Sequence, residues 1–142
     1  EFAYHNVKLL GVFRNPLWFP EVNEWGKVMA SKAEELGYKN FGYQDAKKEK
    51  IGFLTNEKNR FMLWGELVAA INNRQITIFN PDGIKQCMDI IRNIKTDKSS
   101  RLEAKPGGHD DYPMALGIAW LKRNEVNVPV FESKQIQTLH FR

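Results

Sequence analysis

Gly107-Gly108-His109-Asp110-Asp111-Tyr112-Pro113-Met114-Ala115-Leu116 is the stretch on which the reading of this chain turns. Two glycines lead into a histidine and two adjacent carboxylates. A helix is expected to start at once: Pro113 suits its first turn, and Met114, Ile118 and Leu121 form an apolar stripe with Ala115 and Ala119 beside them. One Asp at a helix start is explained by capping. A second needs another reason, because one cap uses one carboxylate. The other carboxylate faces whatever lies in front of the helix, and a divalent cation such as Mg²⁺ or Mn²⁺ is one candidate, since both prefer carboxylate oxygens.

Upstream of this stretch the chain alternates in type. Residues 2–13 read as a helix with Phe2, Leu9, Leu10 and Phe13 on one side, ended by Asn15-Pro16. A chain that starts almost inside an element suggests a piece cut from something longer. Leu17-Trp18-Phe19 reads as a short buried strand, with Glu21 just beyond its end, where open α/β sheets place their ligands. The plainer reading of Glu21 is a solvated loop acid or an acid near a helix N-terminus. Glu24, three residues on, competes for the same role. Trp25, Val28, Met29, Ala33 and Leu36 follow helical spacing up to Gly37, with Trp25 expected in the core. Asn40 to Gln44 reads as a second short strand. Lys47, Lys48 and Lys50 follow in a loop that is either simply solvated or placed to hold phosphates.

Thr55 or Asn56 is expected to cap the clearest helix of the chain, which carries Phe61, Trp64, Leu67, Val68 and Ile71. Ile76-Thr77-Ile78-Phe79 reads as a strand. Pro81 and Asp82 open a helix with Ile84, Cys87, Met88 and Ile91 on its buried face. Lys95 to Ser100 is a polar connector, and Arg101 to Lys105 a short strand before the glycines. The order of elements predicts an α/β layered domain over residues 1–123. Residues 124–142 read as a tail or extended arm, with Val126, Val128 and Val130 in weak alternation.

The 142 residues make one domain with enough length for a real core. Hydrophobic content of 42%, with four Trp and nine Phe, is that of a globular chain. The net charge of +4 is compatible with a polyanionic partner without requiring one. The single cysteine, Cys87, excludes an internal disulfide and cysteine-based zinc sites, and fits a reducing compartment. His5, His109 and His140 are too scattered for a zinc hydrolase, and no Gly-x-Ser-x-Gly supports a nucleophilic one. No stretch approaches the length of a membrane span.

Three segments together resemble the nuclease domain of the large terminase subunits of tailed phages. Gly-Gly-His-Asp-Asp before Met-Ala-Leu is similar to the family's C-terminal motif. Pro20-Glu21-Val22-Asn23-Glu24-Trp25-Gly26 is similar to its Glu-x-Asn-x-x-Gly segment. Gly52-Phe53-Leu54-Thr55-Asn56, a long helix and the strand Gln75 to Phe79 lie between, in the family's order. The resemblance covers about residues 1–122. It implies a ribonuclease-H-like mixed sheet flanked by helices, corresponding to the C-terminal two thirds of that fold. It also implies metal-dependent endonucleolytic cleavage of concatemeric double-stranded DNA during genome packaging, in the host cytoplasm, with a portal protein and a small terminase subunit as partners.

On that resemblance Glu21 with Asp110 or Asp111 are the catalytic and metal-binding carboxylates of a two-metal Mg²⁺ or Mn²⁺ site, whose ions lie about 4 Å apart. His109 and Asn23 are their supporting residues, and Lys47, Lys48 and Lys50 lie near DNA. For His109 a DNA phosphate contact is a further reading, and a plain turn residue is the simplest. One departure matters. The family carries an essential Asp on the first strand of its sheet, and no residue here corresponds to it; nor is there a Walker-A motif. Weak or absent cleavage is therefore expected of this chain alone. The rival readings are another ribonuclease-H-like nuclease or resolvase, and a non-catalytic DNA- or protein-binding module such as a prophage remnant.

Overall fold

The computed structural model describes residues 1–45, 47–94 and 100–126; of Glu24, Ile94 and Ser100 it describes the backbone alone. Among the described residues five helices and a two-stranded antiparallel sheet make a mixed α/β arrangement: α1 (Phe2–Val12), α2 (Glu24–Glu35), α3 (Glu57–Asn72), α4 (Pro81–Met88), β1 (Ile90–Ile94), β2 (Ser100–Ala104) and α5 (Asp111–Lys122), then a short 3₁₀ turn (Arg123–Glu125). β1 and β2 pair from Ile90–Ala104 to Ile94–Ser100. Among the described residues no helix is long and apolar enough to cross a membrane.

The helix boundaries have local causes. The side chains of Asn23, Asn56 and Asn80 each accept a backbone N–H from the first turn of α2, α3 and α4, and Pro81 opens α4 where an amide donor is dispensable. Between α1 and α3 the chain makes a compact unit of three extended segments joined by single bridges instead of long ladders. Trp18 N–H donates to Asn40 O (3.0 Å), Gly42 N–H to Trp18 O (2.8 Å), Gly52 N–H to Gly42 O (2.8 Å), Phe53 N–H to Pro20 O (2.8 Å) and Val22 N–H to Phe53 O (2.7 Å).

Side-chain alternation along an extended segment puts neighbours on opposite faces, and here it separates two apolar clusters. Trp18 joins Ala30, Ala33, Tyr38 and Phe41, with Val7 and Leu10 from α1. Phe19 joins Phe53, Leu63, Trp64, Leu67, Met114 and Ile118. Helices α1 and α2 thus cover one face of the 17–22 segment, and α3 and α5 the other. In the first cluster Tyr38 stands edge-on to both Trp18 (5.6 Å, 81°) and Phe41 (5.1 Å, 76°), the geometry aromatic quadrupoles favour. Its hydroxyl donates to the Pro16 carbonyl. In the second cluster α5 lies so close to α3 that a Cβ at Gly117 would overlap the Leu63 side chain, which is fully buried.

Several sequence expectations are corrected. Residues 75–79 are not a strand: Ile76 packs on the larger cluster, Phe79 is 89% exposed, and among the described residues no neighbour offers a ladder. β-Branched composition favours a pleated surface but does not supply a partner. Helix α4 ends at Met88 instead of continuing through Ile91, which lies in β1; Met88 and Ile84 are exposed and Cys87 is half-buried. Trp25 is 82% exposed, not core. On α1 the buried side is Ala3 with Val7 and Leu10, and Phe2, Leu9 and Phe13 face outward. Phe61 and Val68 of α3 are exposed, while Leu63 and Ala70 take the inward positions. The strand expected at 101–105 is present as β2. The expected connector at 95–99, and the tail from residue 127 with Val128, Val130 and His140, lie outside the described residues.

Two outcomes follow from this packing. Replacing Gly117 by Ala is expected to cost about 1–3 kcal/mol in urea unfolding, because overpacking outweighs the gain in helix propensity. Gly65→Ala on α3, where an added Cβ meets nothing within 4 Å, is expected to be neutral or stabilising by up to about 1 kcal/mol. Burial also pushes the Tyr38 phenol above its ordinary value near 10. A group whose folded value is raised contributes stability that is complete below the unfolded value and is lost as pH rises through the folded one. Urea midpoints measured from pH 8 upward are therefore expected to fall in the alkaline range, and Tyr38→Phe to flatten that fall.

Candidate carboxylate groove

Glu21 sits at the end of the extended 17–22 segment, immediately before α2, and each motif residue around it has a local cause. Asn23 accepts the Gly26 amide (2.8 Å) and so fixes the first turn of α2. Gly26 lies against the Glu21 carbonyl at a separation that leaves no room for a Cβ. The Glu-x-Asn-x-x-Gly spacing is thus a strand end, a helix cap and a close backbone approach. Asn23 acts here as the cap of α2. Glu24 opens that helix, and its side chain lies outside what the structure describes.

The two carboxylates of Asp110-Asp111 diverge. Asp110 stands at the cap position of α5, yet its side chain makes no cap hydrogen bond. The Arg60 guanidinium of α3 donates to Asp110 Oδ2 at 2.5 Å and to the Leu102 carbonyl of β2 at 3.1 Å. This pair is only 12% and 28% exposed, so it ties α3, β2 and the start of α5 together in a partly dry setting. The first amides of α5 are satisfied otherwise: Tyr112 N–H donates to Gln86 Oε1 of α4 (3.0 Å), and Pro113 has no donor. Capping, the plain expectation for an Asp at this place, is therefore the role of neither carboxylate.

Asp111, one residue on, is exposed and turns the other way. Together with Glu21 it lines a groove of about 420 Å³ walled by Trp18, Phe19, Met29 and Met114. Glu21 and Asp111, from distant parts of the sequence, thus line the same groove, and Asp110 is taken by Arg60. Among the described residues no three His, Cys, Asp or Glu side chains converge in a metal-binding group, so the pair is at most a partial site.

The groove has a second feature. Trp18, Pro20 and Val22 spend their backbone groups on the 40–42 and 53 segments. The alternate residues Leu17, Phe19 and Glu21 point theirs the other way, and among the described residues those amides and carbonyls have no backbone partner. All three residues line the groove, which therefore runs along an unpaired strand edge.

The remaining expected residues lie elsewhere. His109 is exposed, with no hydrogen bond or ion pair among the described residues. Lys47 is exposed, its amide closing a turn on Asp45 Oδ1 (3.0 Å). Lys48 lines a large cleft beside the groove, and Lys50 a pocket with Glu34 and Glu49. Arg60 was not among the residues singled out from the sequence: a single Arg on the polar side of a helix carries no local signal, and its partner is reached only through the tertiary fold.

The Arg60–Asp110 pair should be measurable as stability. Arg60→Ala is expected to cost about 2 kcal/mol, since it leaves a partly buried carboxylate and a carbonyl without their donor. Asp110→Asn should cost less, and Asp111→Asn should stay within about 0.5 kcal/mol of the parent. Equal effects of Asp110→Asn and Asp111→Asn in denaturant titrations would show that the two carboxylates are not differentiated.

Comparison with protein-family models, with curated proteins and with solved structures finds no match to this chain.

Proposed function

We propose that this chain is the C-terminal part of a ribonuclease-H-like nuclease domain, of the kind found in tailed-phage large terminases. In this reading Glu21 and Asp111 are two carboxylates of a Mg²⁺- or Mn²⁺-dependent site for phosphodiester hydrolysis. The observation that carries the reading is the convergence of Glu21 and Asp111 on one groove. The motif resemblance names the same two segments from sequence alone. Hard carboxylate oxygens suit these cations, and divalent ions so held supply an activated water and offset charge on the leaving oxygen. Asp110 is not needed as a ligand in this reading. It is the anchor that, through Arg60, sets the rotation of the first turn of α5 and so turns Asp111 toward Glu21.

The unpaired edge at Leu17, Phe19 and Glu21 fits the departure noted in the sequence. An extended segment added along that edge would find ladder partners at once. It would run beside Glu21 and Asp111, where the family's first strand, with its further Asp, is expected. Two carboxylates alone hold a divalent cation weakly, so the chain by itself is expected to bind metal without efficient cleavage. The absence of a three-residue metal group among the described residues favours a second reading, a non-catalytic DNA-binding module of the same fold.

Mn²⁺ binding followed by electron paramagnetic resonance separates the two. Glu21→Gln and Asp111→Asn are each expected to weaken binding by about tenfold or more, with Asp110→Asn much closer to the parent. Plasmid nicking by the parent chain in Mn²⁺ is expected to be marginal. Mn²⁺ affinity indifferent to both groove carboxylates, beside intact folding, would leave the non-catalytic module as the better reading.

A further inference from the structure

We propose that the cleft between the end of α1, the 39–45 segment and the end of α5 binds the phosphodiester backbone of a nucleic-acid strand. The cleft is the largest concavity among those described, about 900 Å³, and is separate from the carboxylate groove. Arg14, Lys39, Lys48 and Lys122 line it from four different parts of the chain, against two carboxylates, Asp45 and Glu125. Glu125 pairs with Lys122 (2.5 Å), and Asp45 accepts the Lys47 amide (3.0 Å) but keeps its charge, so four cations less two carboxylates leave the lining at +2. Among the described residues Arg14, Lys39 and Lys48 have no carboxylate within ion-pair reach. This excess of positive charge around one cavity is self-repelling, and an anion with repeated charges relieves that repulsion.

The backbone adds to the case. Arg14 (φ 61°), Asn15 (φ 52°) and Lys48 (φ 58°) occupy the left-handed region, which costs a non-glycine residue on the order of 1 kcal/mol. Arg14 and Lys48 line the cleft and Asn15 follows Arg14 in the same turn. The Asn15 carbonyl accepts the Asn40 side-chain amide (2.8 Å), which joins that turn to the 39–45 segment. Lys122 is braced over the Phe19 ring (5.1 Å). Of the four cations Lys122 is thus held by packing, while Arg14, Lys39 and Lys48 are exposed side chains on the cleft wall. Tyr43 lines the same wall and gives an aromatic surface of the kind on which bases stack.

Leu17 lines both the cleft and the carboxylate groove, and the chain from Leu17 to Glu21 reaches at most about 14 Å. A strand seated in the cleft therefore passes close to Glu21 and Asp111. The choice of nucleic acid over another polyanion rests on the nuclease reading above; the cleft's affinity for anions does not. The backbone can come from a single strand or from one strand of a duplex.

The test is fluorescence anisotropy of the described protein with a labelled 15-nucleotide (dT) strand and a labelled 15-base-pair duplex, in EDTA, across a salt series. Lys39→Glu/Lys48→Glu is expected to weaken the preferred probe by about tenfold or more, and to reduce the salt slope by about 1.4 for a single strand or about 1.8 for a duplex. Lys27→Glu/Lys58→Glu, with the same charge change away from the cleft, is expected to do much less. Unfolding curves of both variants should match the parent. Equal losses in the two double variants would overturn the proposal, as would competition by polyglutamate as effective as that by unlabelled DNA. Because no metal is present, metal-free binding that depends on the cleft would survive failure of the nuclease reading, and Mn²⁺ binding at Glu21 and Asp111 would survive failure of the cleft.

Discussion

The contact between Leu63 of α3 and Gly117 of α5 sets the position of everything near the groove. A fully buried leucine occupies the space a side chain at 117 would need, so the two helices approach as closely as their backbones allow. With that contact fixed, the start of α5 falls beside Arg60, which stands one turn before Leu63 on the same helix. The ion pair to Asp110 then fixes the rotation of the first turn, and the next carboxylate must point elsewhere. Packing, an ion pair and the pitch of a helix together place Asp111 in the groove. No single one of them would do so.

The same logic explains which parts of the fold could be read in advance. Helices α1, α2, α3 and α5 were legible because their ends are written locally: Asn56 as a cap, Pro113 in a first turn, Asn15-Pro16 and Gly37 as stops. Asn23, expected beside a metal, proves to be the cap of α2. The buried faces of these helices were read less well. Phe61 and Trp25 have strong apolar side chains at plausible spacings, but Leu63 and Ala70 took the inward positions of α3, and Ala30 and Ala33 those of α2, because helix rotation is chosen by what lies opposite. Residues 75–79 and 90–94 show the converse error. Both are β-branched, yet among the described residues only the second has a partner strand, in β2. Pairing is a property of two segments, and one segment's composition cannot reveal it.

The site was legible to the same degree and for the same reason. Glu21, Asn23 and Gly26 form a short motif whose three members interact within one turn of chain, so their spacing survives in the sequence. The Asp pair is visible as an anomaly, two acids where one cap would suffice. Which of the two faces the groove was not readable, because that is decided by Arg60 from a different helix. The basic cleft was nearly invisible: the run Lys47, Lys48, Lys50 stood out, but only Lys48 lines the cleft, and Arg14, Lys39 and Lys122 are isolated residues gathered by folding.

The unpaired edge and the two-carboxylate groove point to one consequence. Buried backbone amides and carbonyls without partners carry a cost, which an edge strand ordinarily limits by staying exposed or short. Here the edge runs along a groove walled by Met29 of α2 and Met114 of α5, where water meets apolar surface on both sides. An added strand would satisfy the backbone groups and cover the apolar walls in one step, so the two driving forces act together. On the nuclease reading proposed above, an acid on that strand would join Glu21 and Asp111, and metal binding would become coupled to strand pairing. The Arg60–Asp110 pair holds the first turn of α5 in place whether or not that edge is covered. The groove is thus largely preorganised, and the chief cost of assembling it would fall on ordering the incoming strand.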